Sequence, residues 1–189
     1  AAHTTLKPSE TQKVLFVLAW HFPNTENYWN REKEHFGKPL RNWYGSRFAS
    51  AWEPAAYAAR NFPRLHQRSA RYRDLLHGAT LPAAVIDAVS SQASILRTNT
   101  LMVMENKLTL AFEGCNDNAG CCPMNCTHVY NYEQTLAHLY PDLERSMRET
   151  DFLVNLRPDG SMSFRTPVPL RQGGNRNQPA ADGQMGCVM

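Results

Sequence analysis

At 189 residues the chain is long enough for one ordinary domain, and its 42% hydrophobic content supplies a core. Formal charge is close to balance at +3, which removes the electrostatic case for a nucleic-acid partner or an anionic membrane surface. The longest apolar run, Val14 to Trp20, is far below the ~18 residues a spanning helix needs, so no transmembrane segment is expected.

Residues 1–13 are polar and lack the basic region, apolar stretch and cleavage site of a secretory leader. Val14-Leu15-Phe16-Val17-Leu18-Ala19-Trp20 is continuously apolar and ends at Phe22-Pro23-Asn24, the pattern of a strand buried on both faces. Such a strand needs neighbours, and none lies nearby in sequence. It is expected to be the last strand of a β-domain whose earlier strands precede residue 1. Apolar residues return at Met185 to Met189 after a polar linker. Both ends therefore read as cuts in a longer protein.

Residues 24–45 are charged and aromatic and are expected to form an irregular linker. A long helix is expected from Ser46 to His77, with Phe48, Trp52, Ala59, Phe62, Leu65 and Leu76 at helical spacing and Gly78 as its stop. Pro54 and Pro63 should kink or split it. Leu81-Pro82 opens a second helix carrying Val85, Ile86, Val89, Ala93 and Leu96 on one face. Thr100 to Met104 and Lys107 to Phe112 read as a hairpin around a two-residue turn, Glu105-Asn106. A third helix is expected from about His128, carrying Leu136, Leu139, Leu143, Met147 and Phe152 inward, with Pro141 bending it or starting a new turn. Arg157-Pro158-Asp159-Gly160 is a turn, Ser161 to Phe164 a short strand, and residues 171–184 a low-complexity loop. Helices joined by long, chemically rich loops suit a helical toroid better than a tightly connected bundle.

Chemistry concentrates in Phe112 to Tyr132. Glu113 follows the apolar strand Leu108 to Phe112, where partial desolvation can tune a carboxyl. Four of the five cysteines, Cys115, Cys121, Cys122 and Cys126, come next, with His128 two residues on. A cluster with two adjacent cysteines is unlike a spread disulfide framework, and points to a reducing compartment, the cytoplasm. Cys122-x3-Cys126 with His128 or Cys115 offers zinc-type donors. Local disulfides are a further reading, buried free thiols rank above both, a Cys-His nucleophile lacks a supporting motif, and no metal is called for. Polar groups interleaved with rings at His128, Tyr130, Asn131 and Tyr132 suit a sugar, whose faces stack on rings and whose hydroxyls bond amides and imidazoles. Trp43, Tyr44, Arg47, Phe48 and Trp52 form a second aromatic and basic cluster. No phosphate loop or Ser-His-Asp set occurs, and no cofactor is expected.

The ordered series Phe16-Val17-Leu18-Ala19-Trp20 with Phe22-Pro23-Asn24, Trp43-Tyr44, Arg47-Phe48, Ala51-Trp52, Phe112-Glu113-Gly114, Cys126-Thr127-His128-Val129, Asn131-Tyr132 and Leu143 to Glu149 resembles glycoside hydrolase family 116. This is the family of bile-acid β-glucosidase, or non-lysosomal glucosylceramidase. The resemblance covers residues 14–170. It implies a mainly α fold: the end of an N-terminal β-sandwich at 1–23, a linker at 24–45, and the opening part of an (α/α)6 toroid at 46–189. It implies a retaining β-glycosidase with Glu113 as nucleophile, Thr127, His128 and Asn131 as substrate contacts, and a β-glucoside or glucosylated small molecule or lipid as substrate. Some relatives carry Asp-Val at His128-Val129, and the cysteine-rich insertion here is longer. The family's acid/base is an Asp from a later part of the toroid, beyond Met189, so these residues alone should be inactive; Asp117 is an alternative acid that the family pattern does not support. Two readings compete: a metal- or redox-responsive module organised by the Cys115–Cys126 loop, and a sugar-binding protein without catalysis. Zinc that survives dialysis marks the first, and glucose binding without a covalent adduct marks the second.

Overall fold

The computed structural model describes residues 3–98, 100–116, 118–130, 135–175 and 178–189. Its organising element is a three-stranded antiparallel sheet: β3 (Leu101–Val103), β4 (Thr109–Cys115) and β5 (Gly120–Pro123), with β4 in the centre. Met102 pairs with Leu110, and Phe112 with Pro123. Alternation along β4 divides the core in two. Leu110 and Phe112 face Met102, Met104, Met124 and Val168. Ala111 faces Tyr130, Leu136 and Met147. Glu113 shares the parity of Ala111, so it emerges on the helical side.

The expected hairpin is present, with one correction. Lys107 N–H donates to Met104 O at 2.7 Å and Met104 N–H to Leu108 O at 2.8 Å. Lys107 sits at φ 67°. The connection is therefore a three-residue loop, a tight turn followed by a left-handed residue, rather than a two-residue turn.

Helices begin with α1 (Trp43–Arg47) and α2 (Trp52–His77). Neither proline splits α2. Pro54 falls in its first turn, where the missing N–H has no intrahelical partner to lose, and Pro63 is accommodated inside it. The apolar stripe expected to be inward is uncovered: α2 has no buried residue, and Trp52 is 79% exposed. The second expected helix is α3 (Ala83–Gln92) running into a 3-10 turn, Ala93–Arg97. Over the third, the described residues form α4 (Thr127–Tyr130), α5 (Thr135–Leu139) and α6 (Pro141–Thr150), closed by a π-turn at Asp151–Asn155. Pro141 starts α6. Leu136 and Met147 are fully buried, whereas Leu139 and Phe152 stay exposed.

Four further expectations need correction. Val14 to Trp20 is not a strand: it is irregular, and Phe16 and Leu18 are 79% and 83% exposed. Among the described residues nothing pairs with it, and an extended segment without ladder partners has nothing to hold it as a sheet. A small sheet forms instead inside the expected linker, from β1 (Asn24–Glu26) and β2 (Pro39–Arg41). The Gly-rich tail closes in a short helix, α7 (Ala181–Gly186), and Ser161 to Phe164 makes one bridge, Leu156 to Met162, in place of a strand.

Asn125 fastens the cysteine loop to β4. Its backbone N–H donates to Ala111 O at 2.9 Å, its Oδ1 accepts from Ala111 N–H at 2.7 Å, and its Nδ2 donates to Thr109 O at 2.8 Å. Its φ of 48° is a left-handed value that asparagine tolerates better than most residues. On the loop's other side, Thr166 N–H donates to Met124 O and Thr127 N–H to Phe164 O. The 164–168 segment is thereby carried to the end of β4. Replacing Asn125 with Ala strands buried partners on β4 and is expected to cost about 2 kcal/mol or more, measured by chemical denaturation.

Candidate functional site

Glu113 leaves β4 with its side chain 23% exposed. Arg165 meets it from the returning segment, Nη2 to Oε1 at 2.6 Å. A second guanidinium nitrogen donates to Pro123 O at 3.0 Å, and the group lies over the Phe164 ring at 5.1 Å. Backbone and ring thus fix the cation independently of the carboxylate it serves. The thiols of Cys126 and Cys122 stand near Glu113 and favour its ionised form.

Burial pushes the Glu113 carboxyl up, but Cys126, Arg165 and Cys122 together outweigh it, leaving the group below its ordinary 4.5 and ionised at neutral pH. The same contacts act in reverse on the thiols. Burial, and then the Glu113 carboxylate, push Cys126 up to about 11, and the bond to Glu113 raises Cys122. Both thiols stay protonated as donors, which is the opposite of an activated cysteine nucleophile.

His128, in α4, is half-exposed, with Nδ1 3.6 Å from Asp182 Oδ2 and its ring edge-on to Phe164. The closeness of α7 depends on Gly183, where a Cβ would stand 2.4 Å from Thr127 Oγ1. Donor atoms of Glu113, Cys126 and His128 lie within 4.8 Å of one another.

Of the expected site residues, the structure brings together Glu113, Cys126 and His128, with Cys122 exposed beside them on the same loop. Thr127 is adjacent but 1% exposed, covered by Gly183. Cys115 is exposed at the strand end, and Cys121 sits on β5. Cys187 is buried elsewhere, against Arg148 and Asp151. Among the described residues no disulfide joins any of the five cysteines. Asn131, Tyr132 and Asp117 lie outside the described residues. Sequence reasoning missed Arg165, Phe164 and Asp182. A lone arginine in a turn-rich segment carries no local signal, and Asp182-Gly183 was hidden in what reads as low-complexity loop. Across the sheet, Trp43 and Tyr44 line a cleft of about 1160 Å³ with Tyr28, Asn42 and Phe112. Phe112 there stacks on Tyr28 at 5.8 Å.

Comparison with known proteins places residues 1–65 in a match to the family model described as beta-glucosidase 2, glycosyl-hydrolase family 116 N-term. The class indicated is glycoside hydrolase. The match supports reading the chain as a fragment of a family 116 protein. Glu113 and the cysteine loop lie outside the matched span. No curated protein matches the chain. No helix among the described residues is long and apolar enough to cross a membrane.

Because the folded Glu113 carboxyl sits below its ordinary value, its contribution to stability is complete above about 4.5 and is lost as pH falls through the lower folded value. Arg165→Gln removes one of the compensating donors. It is expected to raise the Glu113 titration midpoint, read by carboxyl-carbon NMR, and to shrink the acid-side loss of stability.

Proposed function

We propose that this chain carries the nucleophile of a retaining β-glycosidase acting on β-glucosides, glucosylated lipids included. The observation that supports it most is the state of Glu113: a carboxylate largely withdrawn from water, yet held ionised by Arg165 and two thiols. A nucleophilic carboxylate needs that combination of open lone pairs, low proton affinity and fixed direction.

A carboxylate oxygen of Glu113 attacks C1 of the bound glucoside from the face opposite the leaving oxygen. The C1–O bond breaks, a general acid delivers its proton to the departing oxygen, and a glycosyl ester forms on Glu113. Water then loses a proton to the same acid/base group, attacks C1 and releases Glu113 as carboxylate. The two carboxyl groups of a retaining pair stand about 5–5.5 Å apart. The reading assigns the acid/base to an Asp in a later part of the enzyme, so residues 1–189 alone are expected not to turn over natural substrates. Half-exposed His128, oriented by Asp182, is the group assigned to a sugar hydroxyl. Thr127 and Asn131 are the further sugar contacts in this reading, and 1%-exposed Thr127 would have to be uncovered to serve as one.

The same reading makes α2 and the helices after β5 part of an (α/α)6 toroid that follows an N-terminal β-sandwich. The uncovered stripe of α2, with Trp52 and Leu75 exposed, is the kind of face that neighbouring toroid helices would cover.

Trapping tests the chemistry. A 2-deoxy-2-fluoro-β-glucoside with a dinitrophenolate leaving group departs without a general acid and leaves a long-lived glycosyl ester. The full-length protein is expected to be labelled on the peptide containing Glu113, and Glu113→Gln not at all. A label on another residue, or none on folded protein, would overturn the assignment.

A further inference from the structure

We infer that Glu113, Cys126, His128 and Cys122 form a binding site for a zinc-class divalent cation. The donor atoms of the first three already lie within 4.8 Å of one another. Around tetrahedral zinc such atoms are about 3.3–3.8 Å apart, from bond lengths of about 2.0–2.3 Å. Closing the difference takes a contraction of about 1 Å, within reach of side-chain adjustment. Cys122 lies outside that group of three but is exposed on the same loop beside the same carboxylate, so turning its side chain inward brings a fourth donor and opens an entry route.

The donor chemistry is selective. Two sulfurs, an imidazole nitrogen and a carboxylate oxygen suit a borderline-soft ion such as zinc, and suit magnesium or calcium poorly. Charge also balances. With both thiols deprotonated, the site holds three negative charges, which one divalent ion and the Arg165 guanidinium cancel. Arg165 keeps its own anchors on Pro123 O and the Phe164 ring. Asp182 beside His128 Nδ1 is the partner type that steadies a metal-bound imidazole from its other nitrogen.

Binding exchanges protons for the ion. Zinc takes up the Cys122 and Cys126 sulfurs, two protons leave to solvent, and nothing is oxidised or reduced. The site needs no glycosidase activity to exist. Its consequence does rest on the hydrolase reading: a cation on Glu113 occupies the lone pairs that would attack C1, so zinc acts as a reversible inhibitor.

The test is equilibrium dialysis of the full-length protein against Zn²⁺ in a non-chelating reductant, with Co²⁺ as spectroscopic probe. Expected are one retained zinc per chain and a cobalt spectrum with thiolate charge transfer and tetrahedral bands. Asp182→Asn is expected to weaken binding about 10-fold or more, and Cys122→Ser and His128→Gln at least as much. Cys115→Ser, outside the cluster, should leave it unchanged. Cys122 and His128 are partly open to solvent, so their variants report on binding even if the buried Cys126→Ser fails to fold. No retained zinc, or wild-type affinity in both Cys122→Ser and His128→Gln, would overturn the site. Trapping with the fluoroglucoside separates the two claims. Zinc slowing the label, with a chelator restoring it, supports both. Retained zinc with no label even after chelation keeps the metal site and removes the hydrolase reading. Labelling indifferent to zinc in a protein that retains none does the reverse.

Discussion

A carboxylate drawn partly out of water at the end of a buried strand must find donors or take up a proton. Everything around Glu113 answers that demand. Arg165 reaches it from 52 residues away in the chain, and does so because Thr166 and Phe164 are hydrogen-bonded to the loop that follows β5. That loop lies along β4 because Asn125 bonds the strand three times over, through its own N–H, its carbonyl oxygen and its amide nitrogen. The ion pair, the loop and the returning segment form one unit. Loosening any of them leaves the carboxylate less compensated.

The same unit places a cysteine-rich loop beside an ionised carboxylate without activating its thiols. Beside an ionised carboxylate, Cys126 and Cys122 are worth more as donors than as nucleophiles, and their raised proton affinity is the signature of that role. Thiol donors carry a liability, since a soft cation can displace their protons and claim the carboxylate as well. Opposite chemistry thus meets in one cluster. Arg165 is present in both states and decides neither alone.

Much of this was legible in the residues and some could not be. The hairpin, the start of α6 at Pro141 and the partial burial of Glu113 follow from local alternation, proline geometry and a carboxylate placed after an apolar run. Val14 to Trp20 misled because apolarity reports that a segment will be covered, without saying that its cover lies within reach. The linker hid β1 and β2 because two three-residue strands leave almost no periodicity. Arg165 and Asp182 were invisible for a different reason. Their meaning lies in long-range closure, of the 164–168 segment onto the loop and of α7 onto α4 through Gly183, and no window along the chain contains both sides. The family match covers residues 1–65 and stops short of Phe112-Glu113-Gly114.

The most direct measurement is chemical rescue of the nucleophile. Full-length protein carrying Glu113→Ala is incubated with dinitrophenyl β-glucoside and azide, and the anomeric configuration of the product is read by NMR. If Glu113 is the attacking group, azide enters the space it vacates and the product is α-glucosyl azide. A β-glucosyl azide would make Glu113 the acid/base instead, and a folded variant that azide does not rescue would contradict a catalytic role for Glu113.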